Sequence, residues 1–310
     1  MKKNVIFMGT PQIAVPSLQA LLDSTGYNVS LVISQPDKPK GRGNQLQATP
    51  VKELALAHNI PVYQPDKIKN NPEALERLII EKPDFFAVVA YGKILPKEIL
   101  DIPTFVPVNV HFSLLPLYRG AAPVNRAILN GDEYTGVDTM KMGVGMDDGD
   151  ILLSERTPIA NKDAAQLADE LAITGAALLI KTLDNFTSIT PQPQDHSLVS
   201  LAPMLSKAEG AIDWTRDAAY IERMTRAFVP WPSAYTQLDG KLLKIFAATV
   251  DTKYNDNQAG VVYSVGKDGF SIGTGSGGLI VKELQLEGKK RMAAAGFLAG
   301  YKLALGSKLG

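Results

Sequence analysis

Short, nearly uninterrupted apolar runs separated by stretches of helical spacing set the strongest limit on what this chain can fold into. Val5–Met8, Val29–Ile33 and Phe85–Ala90 are such runs, and Pro61-Val62-Tyr63 adds a shorter one. Between them, Pro16–Leu22, Val51–His58 and Pro72–Glu81 carry apolar residues at helical spacing. A strand that is apolar on both faces must be covered on both faces. Strands of that kind alternating with helices imply a mostly parallel sheet between helical layers. The expected fold class is therefore α/β, with a Rossmann-like first domain. In such sheets ligands bind beyond the carboxyl ends of the strands.

The texture changes near residue 160. Asp163–Leu183 reads as one long amphipathic helix. Residues 186–206 hold three prolines among Ser, Thr, Gln and Asp, and read as a linker. Then come a helix over Ala218–Phe228, a Pro230-Trp231-Pro232 turn, and short strands at Lys241–Ala247, Gly260–Ser264 and Leu279–Glu283. Glycine-punctuated short strands suit a small five-stranded barrel of the OB kind. A length of 310 residues fits two domains. The expected division is a catalytic domain over 1–189, a linker over 190–206 and a small β-barrel (OB-like) domain over 207–310.

Composition excludes several classes. With 45% hydrophobic and 21% charged residues, the chain has material for a core and is not disordered. No run of about 18 apolar residues exists, so no membrane span is expected, and the apolar start is too short for a signal-peptide core. The absence of cysteine removes disulfides, thiolate zinc sites and cysteine nucleophiles. A cytoplasmic protein is expected. Net charge is zero, but residues 207–310 carry 14 Lys and Arg against 10 Asp and Glu, and residues 1–206 carry 18 against 22. The excess in the second half permits a polyanionic partner without demanding one. Gly9-Thr10-Pro11 lacks the spaced glycines of a dinucleotide site, and no P-loop is present.

The densest polar segment runs from Val108 to Gly120 and follows a strand over Val106–Val110. Asn109 and His111 stand two apart, so in a strand their side chains share one face. One is an amide donor and the other titrates near neutral pH. A lone Asn-x-His pair is more often a hydrogen-bonded buried pair than a site. The loop Met140–Asp150 shifts that balance, because it places Asp147, Asp148 and Asp150 between apolar runs. Calcium loops need oxygen ligands at regular alternate spacing, and these carboxylates bunch; no metal is expected. A carboxylate beside His111 would favour its charged form.

Asn109-Val110-His111, Ser113-Leu114-Leu115-Pro116, Tyr118–Pro123 and Met146–Asp150 together resemble the folate-dependent formyltransferases. Gln35–Pro39, Gly41-Arg42-Gly43 and Ala90-Tyr91-Gly92 agree, as do Leu205-Ser206-Lys207, Ile212-Asp213-Trp214, Pro230-Trp231-Pro232 and residues 306–310. The resemblance covers nearly the whole chain and is strongest to the branch that formylates a charged tRNA. It implies 10-formyltetrahydrofolate as co-substrate and initiator methionyl-tRNA as acceptor, in translation initiation. Asn109 and protonated His111 would donate hydrogen bonds to the tetrahedral oxyanion. Asp147, favoured by alignment over Asp148, would hold His111 charged and manage the amine's proton. Backbone groups of Ser113, Leu114, Leu115 and Pro116 would line the folate pocket.

For the tRNA, the resemblance implies contacts from Lys38, Lys40 and Arg42, and Lys289, Lys290 and Arg291 form a second basic cluster. His58 and His196 look unremarkable. Ile13, Phe112, Leu117 and Asp148 depart from the family pattern around the pocket and the tRNA grip. A monomer is expected. The rival readings are a formyltransferase with a small amine or amino sugar as acceptor, a formyltetrahydrofolate hydrolase, and a non-catalytic folate- or RNA-binding module.

Overall fold

The computed structural model describes residues 2–40, 45–256 and 258–310. The chain forms two compact units. The first comprises Met1–Pro123, Tyr134–Pro158 and Ala168–Pro203, and the second Val124–Glu133, Ile159–Leu167 and Met204–Gly310.

The first unit is built in chain order from β1 (Lys3–Gly9), α1 (Val15–Asp23), β2 (Tyr27–Ile33), β3 (Lys38–Lys40), β4 (Gln45–Gln47), α2 (Pro50–Ala57), β5 (Val62–Tyr63), α3 (Pro72–Ile80), β6 (Phe85–Val89), α4 (Lys97–Leu100), β7 (Val106–His111) and β8 (Arg119–Gly120). After α5 (Pro123–Asn130) follow β9 (Tyr134–Lys141), β10 (Ile151–Pro158), α6 (Ala164–Asp184) and β11 (Leu201–Ala202). The main sheet has the order β10-β9-β7-β6-β1-β2-β5. Its strands β7, β6, β1, β2 and β5 run parallel, and β9 and β10 add an antiparallel edge. All five residues of β6 are buried, as an apolar run in a sheet covered on both faces should be. The helices start on local signals. Thr49 accepts from Lys52 N at 3.2 Å to cap α2, and Asn71 accepts from Ala74 N at 3.1 Å to cap α3, each followed by proline.

The strand order reverses beside β1. The chain first lays β2 and β5 on one side of β1 and then crosses to place β6 and β7 on the other. The loops leaving the carboxyl ends of β1 and β6 therefore diverge and open a crevice. Thr10 Oγ1 and Gln35 Nε2 both donate to the Tyr91 carbonyl, at 3.2 and 2.9 Å, and tie the two loops together.

The second unit holds α7 (Ala218–Ala227), the strands β12 (Ala234–Leu238), β13 (Lys241–Asp251), β14 (Val262–Gly266), β15 (Gly269–Gly273), β16 (Gly278–Leu286) and β17 (Met292–Ala293), and α8 (Ala294–Gly300). The sheet order is β12-β13-β16-β15-β14, all antiparallel, with β17 on β16. The C-terminal residues bridge its two edges: Leu309 N donates to Gly260 O at 2.8 Å and Gly310 N to Gln237 O at 3.1 Å. Leu243, Ile245, Phe270, Ile272, Val281 and Leu284 fill the interior beside Trp214. Strand β12 follows the Pro-Trp-Pro turn, and its hairpin with β13 turns through Asp239 and Gly240, both at positive φ. Residues 124–133 and 159–167 join this unit through α7: Asn125 Nδ2 donates to Ala227 O at 2.6 Å, Arg223 Nε to Leu129 O at 2.9 Å and Arg226 Nη1 to Lys162 O at 3.2 Å.

Candidate active site

A cavity of about 470 Å³ opens in the first unit at the reversal point. Pro11 after β1, Ala90 to Leu95 after β6, Met140 near the end of β9, and Met142 and Gly143 just after it form much of its wall. Asn109, His111, Gly120 and Asp147 meet at it. Asn109 and His111 come from the carboxyl end of β7 and are 8% and 5% exposed. Pairing of β7 with β9 sets Asn109 opposite Met140 and His111 opposite Asp138.

The hydrogen bonds of His111 settle its tautomer. Nε2 lies 3.0 Å from the Tyr118 carbonyl, which can only accept, so Nε2 carries a proton in either charge state. The other ring nitrogen, Nδ1, lies 3.7 Å from Asp147 Oδ2. The same Asp147 oxygen accepts from Gly120 N at 2.8 Å. Gly120 has a φ of +122°, and a Cβ there would stand 2.8 Å from the Ala202 carbonyl, so only glycine fits this donor position. Asp148 turns the other way, back over its own loop: a Cβ on Gly145 would lie 2.1 Å from Asp148 Oδ2. Of the clustered carboxylates, Asp147 is the one beside His111.

Ser113, Leu114, Leu115 and Pro116 are not among the residues of the cavity wall. Ser113 Oγ donates to Leu117 O at 2.6 Å, Leu115 N donates to Asp138 Oδ2 at 2.6 Å, Leu114 packs on Gly136, and Pro116 O accepts from Ser200 N at 3.4 Å. They build the turn that returns the chain from His111 to Tyr118. Phe112, one of the departures from the family pattern, does line the cavity. Sequence reasoning noted Ala90-Tyr91-Gly92 within the resemblance and Met140–Asp150 as a carboxylate loop, but assigned neither to a cavity wall; Lys93, Ile94 and Leu95 escaped it, their only signal a position shortly after an apolar strand.

Asp138 was also missed. It is 1% exposed, and burial pushes its carboxyl up to about 6, against the opposing hydrogen bonds from Ser154 and from Leu115 N. Among the described residues, no group of three or more His, Asp and Glu side chains is placed to hold a metal ion.

The basic residues fall in different places. Lys38 is exposed on the ribbon that β3 makes with β4, and borders a second cavity of about 540 Å³ whose wall includes Thr10, Gln35 and Thr49. The two cavities share Pro11 and Ala90. Lys40 lies in β3, and Arg42 lies outside the described residues. Lys289 and Lys290 are exposed in the second unit. Arg291 donates to Glu283 Oε2 at 2.5 Å and its guanidinium sits 4.3 Å from the Phe246 ring centre. His196, dismissed by sequence reasoning, lies 3.4 Å from Arg119 Nη2 through its Nδ1.

A parallel sheet with a reversal-point cavity, an Asn-His-Asp cluster and a separate antiparallel unit define the class. The Formyl transferase family matches residues 1–183, and the Formyl transferase, C-terminal domain family matches residues 204–302. The chain belongs to the formyl transferase family.

Within it, the chain is 49% identical over 310 residues to the methionyl-tRNA formyltransferase of Citrifermentans bemidjiense, covering 99% of this chain and 96% of that one. It is 44% identical over 309 residues to that of Clostridium novyi, covering 99% of each. Among solved structures, WlaRD, a sugar 3N-formyl transferase, superposes with a TM-score of 0.64 at 22% identity over 94% of this chain and 99% of that one. HypX from Aquifex aeolicus, in complex with tetrahydrofolic acid, superposes with a TM-score of 0.63 at 17% identity over 98% of this chain, which spans 50% of HypX. These two likenesses concern the fold.

Proposed function

We propose that this protein transfers the formyl group of 10-formyltetrahydrofolate to the α-amino group of methionine on initiator methionyl-tRNA, in the cytoplasm. The observation that carries the reading is the meeting of Asn109, His111 and Asp147 at one cavity, in a chain 44–49% identical over its length to proteins of that name. The cavity suits a flat heterocycle, with apolar side chains such as Val88, Ile94 and Met142 and the backbone of the loop after β6. In the reaction the amine nitrogen adds to the formyl carbon and the carbonyl oxygen becomes an oxyanion. Collapse breaks the bond to N10, which takes up a proton while the amine gives one up. Asn109 and the Nδ1–H of charged His111 are the donors for the oxyanion. Asp147 accepts the amine's proton and, as an anion, stabilises charged His111. Neither a metal nor a covalent enzyme intermediate is needed.

We assign the chemistry to residues 1–189 and the tRNA grip to 207–310, where basic residues outnumber acidic ones. The second cavity, which shares Pro11 and Ala90 with the wall of the first and is bordered by Lys38, suits the arriving aminoacyl end. The test is transfer of labelled formyl from the folate to initiator methionyl-tRNA, elongator methionyl-tRNA, free amines and amino sugars, with formate release scored alongside. The expected result is transfer to methionyl-tRNA, faster with the initiator. Preference for a small amine, or formate without an acceptor, would overturn it.

A further inference from the structure

Residues 190–203, most of the stretch expected to be a linker over 190–206, are stitched across the first unit. Gln192 exchanges two backbone hydrogen bonds of 2.8 Å with Ile151, and β11 pairs in parallel with β8. Tyr118 N donates to Ser200 Oγ at 2.9 Å. Between these attachments Gln194 turns inward and is 6% exposed. Its Nε2 donates to two carbonyls of the carboxylate loop, Asp147 O at 2.9 Å and Gly149 O at 2.7 Å. Its Oε1 accepts from Arg119 Nε at 3.1 Å and Arg119 Nη2 at 2.7 Å. Arg119 is 7% exposed and immediately precedes Gly120, whose N–H holds the Asp147 carboxylate.

We propose that Gln194 is a positioning residue for Asp147, its amide locking the backbone of the carboxylate loop onto the strand that carries Gly120. The lock has work to do. Asp147 has a φ of +51°, a left-handed conformation uncommon outside glycine, though aspartate adopts it more readily than most residues. Both donor hydrogens of the amide are used on the carbonyls of Asp147 and Gly149, which follow that φ along the loop, and both contacts on its oxygen come from one guanidinium. If the loop slackens, the carboxylate leaves the Gly120 donor and the Nδ1 of His111 together. A misplacement of about 1 Å is enough to cost orders of magnitude in rate.

The inference rests on Asp147 acting in formyl transfer, so the experiment tests the two separately. Transfer to methionyl-tRNA is measured for the full chain, Gln194→Ala, Gln194→Glu, Asp147→Asn and the double variant Gln194→Ala/Asp147→Asn, with melting temperatures. Gln194→Glu keeps the acceptor for Arg119 and loses both donors to the loop, so the segment stays anchored. It should fold, melting somewhat below the parent because two carbonyls lose their donor, while kcat falls about 10–100-fold and KM for the folate moves less than about 3-fold. Asp147→Asn alone should collapse turnover, and adding Gln194→Ala to it should cost less than about 3-fold more, because residues acting as one unit are not additive. Near-parent turnover from Asp147→Asn would overturn the functional reading beneath the inference. Collapse from Asp147→Asn with near-parent kcat in Gln194→Glu, or with full additivity in the double variant, would overturn the inference alone.

Discussion

His111 Nδ1 lies 3.7 Å from Asp147 Oδ2, although the two side chains come from β7 and from a loop beyond β9. Asp148, the next residue, is folded over Gly143 and Gly145. Losing one oxyanion donor costs about 10²–10³ in rate and losing a general base about 10²–10⁴, so His111→Ala and Asp147→Ala should each lower kcat by those orders with folding intact. Asp148→Ala should stay within about 10-fold of the parent, since its carboxylate reaches no reacting group. Steady-state kinetics on methionyl-tRNA checks the order. Collapse in Asp148→Ala with a healthy Asp147→Ala would assign the role to the wrong carboxylate.

Gly149 and Gly296 should respond to alanine in opposite directions. A Cβ on Gly149 would stand 1.7 Å from the Lys141 backbone carbonyl, which cannot swing away as a side chain can. Gly149→Ala should destabilise the first unit by about 1–3 kcal/mol. Gly296 lies within α8 with nothing within 4 Å of the new carbon, so Gly296→Ala should stabilise by about 0.5–1 kcal/mol. Chemical denaturation of both variants reads the signs.

Asp138 should make stability depend on pH in the acid range. Its folded value is raised from 3.8 to about 6, so its contribution is present in full below about pH 4 and is lost as pH rises through about 6. The ceiling on the loss is about 3 kcal/mol for a shift of this size. Asp138→Asn, which can still accept from Leu115 N, should flatten the stability curve between those limits and be more stable than the parent at pH 7.5. Equal stability differences at pH 4 and pH 7.5 would rule this out.

The basic cluster of the second unit is not uniform. Lys289 and Lys290 are exposed, whereas Arg291 holds Glu283 and covers Phe246. The double variant Lys289→Ala/Lys290→Ala should raise KM for methionyl-tRNA several-fold, flatten its salt dependence and leave kcat unchanged, because only uniform binding is lost. Kinetics at two salt concentrations decides it. A fall in kcat with an unchanged salt slope would place these lysines outside the tRNA grip.

Much of the fold was legible. The apolar runs at Val5–Met8 and Phe85–Ala90 became β1 and β6, and Asp163–Leu183 became α6 to within a residue at each end. In the second unit only three strands were read, and β12 and β15 were missed. Both are five residues long, and β15 is bounded by Gly269 and Gly273; such segments hold their shape through their neighbours rather than through their own propensity.

The sequence by itself determined the alternation that forces a parallel sheet, and hence the crevice where its order reverses. It also determined the two-residue spacing that turns Asn109 and His111 to one face. These follow from rules of near neighbours, where period and burial leave little choice. The resemblance already favoured Asp147 over Asp148, but only the tertiary structure set its carboxylate 3.7 Å from His111 and put Ala90–Leu95, rather than Ser113–Pro116, in the cavity wall. It alone drew Gln194 in from 47 residues beyond Asp147 to grip the carboxylate loop. Such contacts join residues far apart in sequence, and which side chain fills the remaining space depends on how every other element has packed.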